Sequence, residues 1–201
     1  QIRGDKFPKR ILDLASGPST FFRAYERIKP KVEERGFEGD VSIVDYDNSQ
    51  EMLDLGPNPN KALGDISKVG SRFPENSFDL VNISYAFRYA QHPAEMIKGI
   101  NKILSLDGYL MIILPKTMKM PQKFYEGLRK AGFELELGEQ ASLISYLVAK
   151  SYKILEEQYG REIAEDVANE VRGRFTFILA KKVSSPEGDI KDEDFFLARP
   201  I

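Results

Sequence analysis

The sequence predicts an α/β fold, a parallel sheet with helices on both faces. Three observations predict it. Apolar runs alternate with segments of helical period, as crossover connections require. Several of these runs are apolar on both faces, which fits strands covered from each side. The run Ile11-Leu12-Asp13-Leu14-Ala15 also breaks into the small-residue turn Ser16-Gly17-Pro18-Ser19, and a helix follows at once. That is the strand–loop–helix entry of a nucleotide-type site.

The strand candidates in order are Ile11–Ala15, Val41–Asp45, Lys61–Gly64, Phe78–Ser84, Gly108–Leu114, Phe133–Leu137 and Arg174–Lys181. Between the first two, Phe21, Phe22, Tyr25 and Ile28 form a core-facing helical stripe, with Pro18 in the first turn, where its missing N–H is no loss. Lys29–Asp40, holding Pro30, Gly36 and Gly39, reads as a loop. Met96, Ile97, Ile100, Ile103 and Leu104 form a second stripe after Pro93, and Asp107-Gly108 marks a turn into the next strand. Phe124 and Leu128 lie on a short helix stopped near Gly132. Tyr152, Leu155, Tyr159, Ile163, Val167 and Val171 recur at helical spacing, so Ser151–Arg172 reads as a long helix, while Ser142–Ala149 fits helix or strand. The domain is expected to span residues 1–183 with a helical insertion at about 142–172. Residues 184–201 form a polar, acidic tail expected to be loop or partly disordered.

Composition removes several function classes. At 201 residues, 42% apolar and 30% charged, the chain suits one well-cored domain. A net charge of −2 argues against a dedicated nucleic-acid binder. The basic spots Lys116, Lys119 and Lys123, or Arg172, Arg174, Lys181 and Lys182, read as solvated faces. No cysteine is present, so disulfides, thiolate nucleophiles and Cys-ligated zinc are out; with His92 the sole histidine, so is a multi-histidine metal site. No apolar run approaches membrane-spanning length and no secretory leader is visible, so the expected setting is cytoplasmic. The chain opens on Gln1 rather than Met, as a trimmed chain or a piece of a longer one would.

The chemistry-bearing residues sit where strands end. Gly17 lacks a Cβ, so a ligand can approach the backbone there, and the N–H groups of the turn form a polar cradle. Asp13 lies inside a strand run, where a carboxylate is costly unless it finds a donor. Val41-Ser42-Ile43-Val44-Asp45-Tyr46-Asp47 ends acidic, and Asp45 follows Gly17 by 28 positions. A carboxylate at the carboxyl edge can accept from two ribose hydroxyls, and Tyr46 offers a flat face to an adenine. Asp65, after Leu63-Gly64, can accept from an exocyclic amine; Ser84-Tyr85 ends another strand at the same cleft.

In that order, Asp13-Leu14-Ala15-Ser16-Gly17-Pro18, Asp45, Gly64-Asp65, Phe78-Asp79-Leu80-Val81 and Leu104-Ser105-Leu106-Asp107-Gly108-Tyr109-Leu110 resemble the class I S-adenosylmethionine-dependent methyltransferases. Ile83-Ser84-Tyr85-Ala86-Phe87-Arg88-Tyr89 is most similar to the small-molecule type, including the ubiquinone/menaquinone C-methyltransferases. The resemblance covers about residues 10–137 plus the terminal strand. It implies a Rossmann-like, doubly wound sheet of seven strands in the order 3-2-1-4-5-7-6, with the last strand in sequence antiparallel. It implies S-adenosyl-L-methionine as cofactor, with Asp13, Ala15, Ser16 and Gly17 at its methionine end and Asp45 on the ribose. Tyr46 would flank the adenine, Asp65 and Ile66 would meet its edge, and Ser84 and Tyr85 would lie under the transferring methyl. Tyr85, Arg88 and Tyr89 would meet a small-molecule acceptor. The family's loop carries glycines where this chain has Ala15 and Ser19, and its usual N-terminal lid helix is not seen; Ser151–Arg172 is a candidate replacement.

In the implied reaction the leaving group is a neutral thioether, and alignment of the reactants supplies roughly 7–11 kcal/mol of the barrier. Tyr85, Tyr89 and His92 are the candidate bases if the acceptor needs one; no catalytic residue is assigned, no metal is expected and the oligomeric state is left open. A Cys-dependent pyrimidine mechanism is excluded, and the Asn/Asp-Pro-Pro-aromatic motif of amino-nucleobase methylation is missing. The Gly-x-Gly-x-x-Gly of a nicotinamide enzyme is also absent. Two alternatives stay open: a non-catalytic binding domain of this fold within a larger protein, and an RNA or protein methyltransferase whose recognition region lies elsewhere.

Overall fold

In a computed structural model of the chain, residues 8–34, 40–115, 120–135 and 175–195 are described. Seven strands form one sheet: β1 (Arg10–Leu14), β2 (Ser42–Asp47), β3 (Lys61–Leu63), β4 (Phe78–Ser84), β5 (Leu104–Pro115), β6 (Phe133–Leu135) and β7 (Phe175–Lys182). Their order is β3-β2-β1-β4-β5-β7-β6, with β7 antiparallel to both neighbours and the other pairings parallel. This is the doubly wound sheet that the sequence predicted. The order reverses between β1 and β4, the place where such sheets open a crevice at their carboxyl edge.

The two faces are built by the period of two along each strand. Leu12, Leu14, Val81, Ile83, Leu110 and Ile112 point to one face, under α3 (Val69–Arg72), α4 (Pro93–Ile103) and α5 (Gln122–Lys130). Ile11, Ile43, Leu80, Met111 and Leu179 point to the other, where α1 (Thr20–Glu34) brings Phe21, Phe22 and Tyr25. On α4, Pro93 occupies the first turn and Met96, Ile97, Ile100 and Ile103 are fully buried. The α4 backbone meets α3 at a glycine pair: a Cβ on Gly99 would lie 2.8 Å from the Gly70 nitrogen. At the opposite end of the sheet from the crevice, the Asp79 carboxylate accepts from the Arg10 guanidinium (2.6 Å) and from the Lys9 and Arg10 amides, locking β1 to β4. Burial opposes the charge of Asp79, but these bonds outweigh it and hold its pKa below the ordinary value.

Three expectations need correction. The helix after the first loop begins at Thr20, so Pro18 lies in the turn before it. That helix continues through Pro30 to Glu34, where a loop was expected from Lys29; a helix can carry a proline that forfeits one backbone bond. Asp107-Gly108 does not start a strand but forms an irregularity within the longer β5, with Asp107 in the left-handed region and a register shift between Phe78 and Leu80. A further short helix, α2 (Gln50–Leu55), was not foreseen; Ser49 caps it by accepting from the Met52 amide. In the described part of the tail, Asp192–Phe195 forms a short 3-10 turn and the segment is docked: Ile190 and Phe195 are buried, Phe195 stacking edge-on to Phe124. Its Asp192 accepts from the Ala94 amide at the start of α4. The helical insertion at 142–172, the Ser142–Ala149 and Ser151–Arg172 segments, Lys116, Lys119, Arg172 and Arg174 fall outside the described residues. Among the described residues, no helix is long and apolar enough to cross a membrane.

Candidate functional site

Strand register builds the site. Asp45 of β2 stands beside Asp13 of β1, and Asp13 beside Asn82 of β4. These three polar side chains form one row across the switch point, on the α1 face, and Met111 of β5 ends it. Asn82 donates to Asp13 at 2.6 Å, and its amide also lies 3.0 Å from the Ser84 hydroxyl. Asp47 follows Asp45 by two positions, so it faces the same side, nearer the carboxyl edge.

The loop after β1 folds over this row. Ala15, Gly17 and Ser19 all take left-handed backbone conformations. Gly17 does so freely, while Ala15 and Ser19 carry the steric cost of a Cβ. A Cβ built on Gly17 would meet nothing within 4 Å, so the loop leaves open space at that point. The Gly17 amide donates to Asp47 at 2.9 Å, and the other Asp47 oxygen accepts from the Ser49 amide. The Ser19 hydroxyl donates to Asp45. The second Asp45 oxygen and the Ser16 hydroxyl are buried without a partner among the described residues. Buried polar atoms are nearly always paired, so an orphan acceptor and an orphan hydroxyl beside open loop space suit a polar ligand.

Electrostatics single out Asp13, which is 2% exposed. Burial raises its pKa to about 7, the Asn82 bond opposes the rise, and Asp45 and Asp47 add to it by repulsion. Below about pH 7 Asp13 therefore keeps a proton that an exposed carboxyl group would have released.

The remaining candidates divide. Ser84 and Tyr85 end β4 beside the row; Tyr85 is left-handed, 39% exposed, and its amide donates to the Ile113 carbonyl. Burial moves the Tyr85 phenol above its ordinary pKa, the wrong direction for a base. Arg88 lies over the exposed Tyr89 ring, 4.7 Å from its centroid, and donates to its hydroxyl. Asp65 caps the short turn Ile66–Lys68 by accepting from the Ser67 amide, and Ile66 packs on the core. Tyr46 is not at the cleft wall. Alternation turns it to the α4 face, 1% exposed, with its hydroxyl on the Asp65 carbonyl and Phe73 at its edge. His92 faces Asp192 of the docked tail instead of the row.

Sequence reasoning missed Asp47, Asn82 and Ser19. For Asp47 a signal existed: the capping Ser49 two positions on marks where the strand ends. Asn82 needed the register, which no local pattern carries.

A family described as Methyltransferase domain matches residues 6–165. The chain belongs to that family. Within it, this methyltransferase domain is 26% identical over 119 residues to a ubiquinone/menaquinone biosynthesis C-methyltransferase of Pseudomonas paraeruginosa, covering 56% of this chain and 44% of that one. The chain thus spans about half the length of the curated relatives it matches. Among solved structures it is similar to an S-adenosylmethionine-dependent methyltransferase from Mesorhizobium loti, with TM-score 0.54, 17% identity and coverage of 86% and 90% of the two chains. It is also similar to the cyclase SpnF, with TM-score 0.52, 16% identity and coverage of 91% and 77%. At these identities the structural matches establish the fold of the methyltransferase domain.

Proposed function

We propose that this domain binds S-adenosyl-L-methionine and directs its methyl group to a small-molecule acceptor, in a cytoplasmic setting. The observation that carries the reading is the pairing of open space at Gly17 with the orphaned oxygens of Asp45 and Ser16. The residue set fits such a group. Asp45 and Asp47 would accept from the ribose hydroxyls, and the turn from Ala15 to Gly17, with Asp13 beneath it, would take the methionine end. Asp65 and Ile66 would meet the adenine edge, while Ser84 and Tyr85 would stand under the reacting carbon. When bound, the cofactor supplies a methyl group on a sulfonium, which leaves behind a neutral thioether.

The chain's own residues then align and exclude water. Asn82 fixes Asp13 and so holds the floor of the loop. A bound ligand would take the place of the Gly17 amide on the Asp47 carboxylate, exchanging an internal bond for one to the ligand. The left-handed Tyr85 projects from the strand end with its phenol protonated, a wall and hydrogen-bond donor for the acceptor. Arg88 and Tyr89 extend that wall outward.

Calorimetry with S-adenosylhomocysteine tests this. The intact chain should bind, Asp45→Ala and Asp47→Ala should each weaken binding at least tenfold, and Gly17→Val should block it. Unchanged affinity in all three variants would overturn the assignment. A second reading, a domain of this fold that binds without catalysing, is favoured by one observation: the Gly17 amide and Asp45 are already engaged by Asp47 and Ser19. Failure of the intact chain to bind S-adenosylhomocysteine would leave that reading standing.

A further inference from the structure

At the amino edge of the sheet, opposite the candidate site, a cavity of about 380 Å³ opens between the end of α4 and the end of β7. Asn76, Lys98, Asn101, Lys102, Lys182 and Ser184 line it. Lys182 is the unusual member. Its residue is only 7% exposed, although lysine is among the least often buried residue types unless paired with an acid. Its ammonium donates to the Leu104 carbonyl at 2.7 Å and to the Asn76 side-chain oxygen at 3.4 Å. An ammonium has three N–H donors, so one is left without a partner among the described residues. No carboxylate lies within ion-pair distance of it there; the single acid of the lining, Glu75, stands 3.9 Å from Lys102. Lys98 makes no ion pair or hydrogen bond among the described residues. The lining therefore carries three cations against one anion.

We propose that this cavity is a second ligand site, for a small molecule bearing a phosphomonoester. The chemistry selects that group. The lining offers lysines and amides but no arginine, so it presents compact point charges around a centre and no planar fork for a carboxylate. The buried ammonium is held in place by one backbone carbonyl and one side-chain amide oxygen, and its spare donor needs only an acceptor brought into the cavity. Lys98 and Lys102, one turn apart on α4, close over it from the rim. The volume falls within the range of small-metabolite sites. The site is independent of the methyl-transfer reading, since β4 and β5 run their full length between the two edges.

Inorganic phosphate, titrated into the full chain by calorimetry and thermal melts at constant ionic strength, tests the proposal. Phosphate should raise the melting temperature where chloride at equal ionic strength does not. A Lys98→Gln/Lys102→Gln variant, altering exposed side chains only, should fold normally and lose at least tenfold in phosphate affinity. Lys182→Met should lose binding too; if it fails to fold, the rim variant decides alone. Saturating S-adenosylhomocysteine should leave phosphate affinity unchanged. Absence of a phosphate-specific shift, its survival in the rim variant, or its competition by S-adenosylhomocysteine would each overturn the assignment.

Discussion

Asp13 is buried beside two other carboxylates, held by hydrogen bonds from the Asn82 side chain and the Phe21 backbone. Its ordinary pKa is 3.8 and its folded value about 7, so the native state keeps a proton that the unfolded chain releases in between. The stability from this group is complete below pH 3.8, falls as pH rises, and levels off above about 7. In Asp13→Asn, which keeps the shape and an acceptor for Asn82, that decline should vanish. Urea denaturation at pH 4.5 and pH 8 should show the variant gaining on the wild type by a few kcal/mol, on the order of 2–4, at the higher pH. A constant difference between the two would disprove the raised pKa of Asp13. Ala15 makes a simpler case. Its left-handed backbone costs about 1 kcal/mol with a Cβ present, so Ala15→Gly should raise the urea midpoint by roughly 0.5–1 kcal/mol equivalent, net of the unfolded-state entropy of glycine. Both residues were named from the sequence, because a carboxylate in an apolar run and a small residue in a turn are visible in one dimension. Tyr46 was misplaced by the same local reading, since nothing in the run tells which face an aromatic will take until the pairing is known.

Helix α4 was fully legible: Pro93 starts it, and four residues at helical spacing fill its buried face. Its closest neighbour was not. Gly99 and Gly70 touch backbone to backbone, and α3 has only four residues and no periodicity to announce it. Gly99→Ala should improve the intrinsic helix propensity and still destabilise the protein by about 1–3 kcal/mol, because the added methyl meets the Gly70 backbone and the two helices must part. Thermal melts of that variant check it, and a stabilised Gly99→Ala would mean the helices are not in contact. The tail escaped prediction for a related reason. Its composition is polar, but Ile190 and Phe195 are buried, Lys130 pairs with Asp194, and Asp192 caps a helix about 100 positions earlier in the chain. Such a long-range cap leaves no mark on the sequence around either partner.

The strands were legible to within a few residues because each is an apolar run bounded by turn residues. Their order was not; it came with the family resemblance, and the register that aligns Asp45, Asp13 and Asn82 came only with the structure. That order puts β7 between β5 and β6. During synthesis, the first five strands leave the ribosome well before residues 175–182 exist. The edge of β5, with Leu110, Ile112 and Leu114 flanking it, then waits without its antiparallel partner. At 5–20 residues per second the wait lasts roughly 3–12 seconds. An unpaired strand of this kind recruits other chains, so the nascent protein is most prone to aggregate in that interval, and holding chaperones should engage it there.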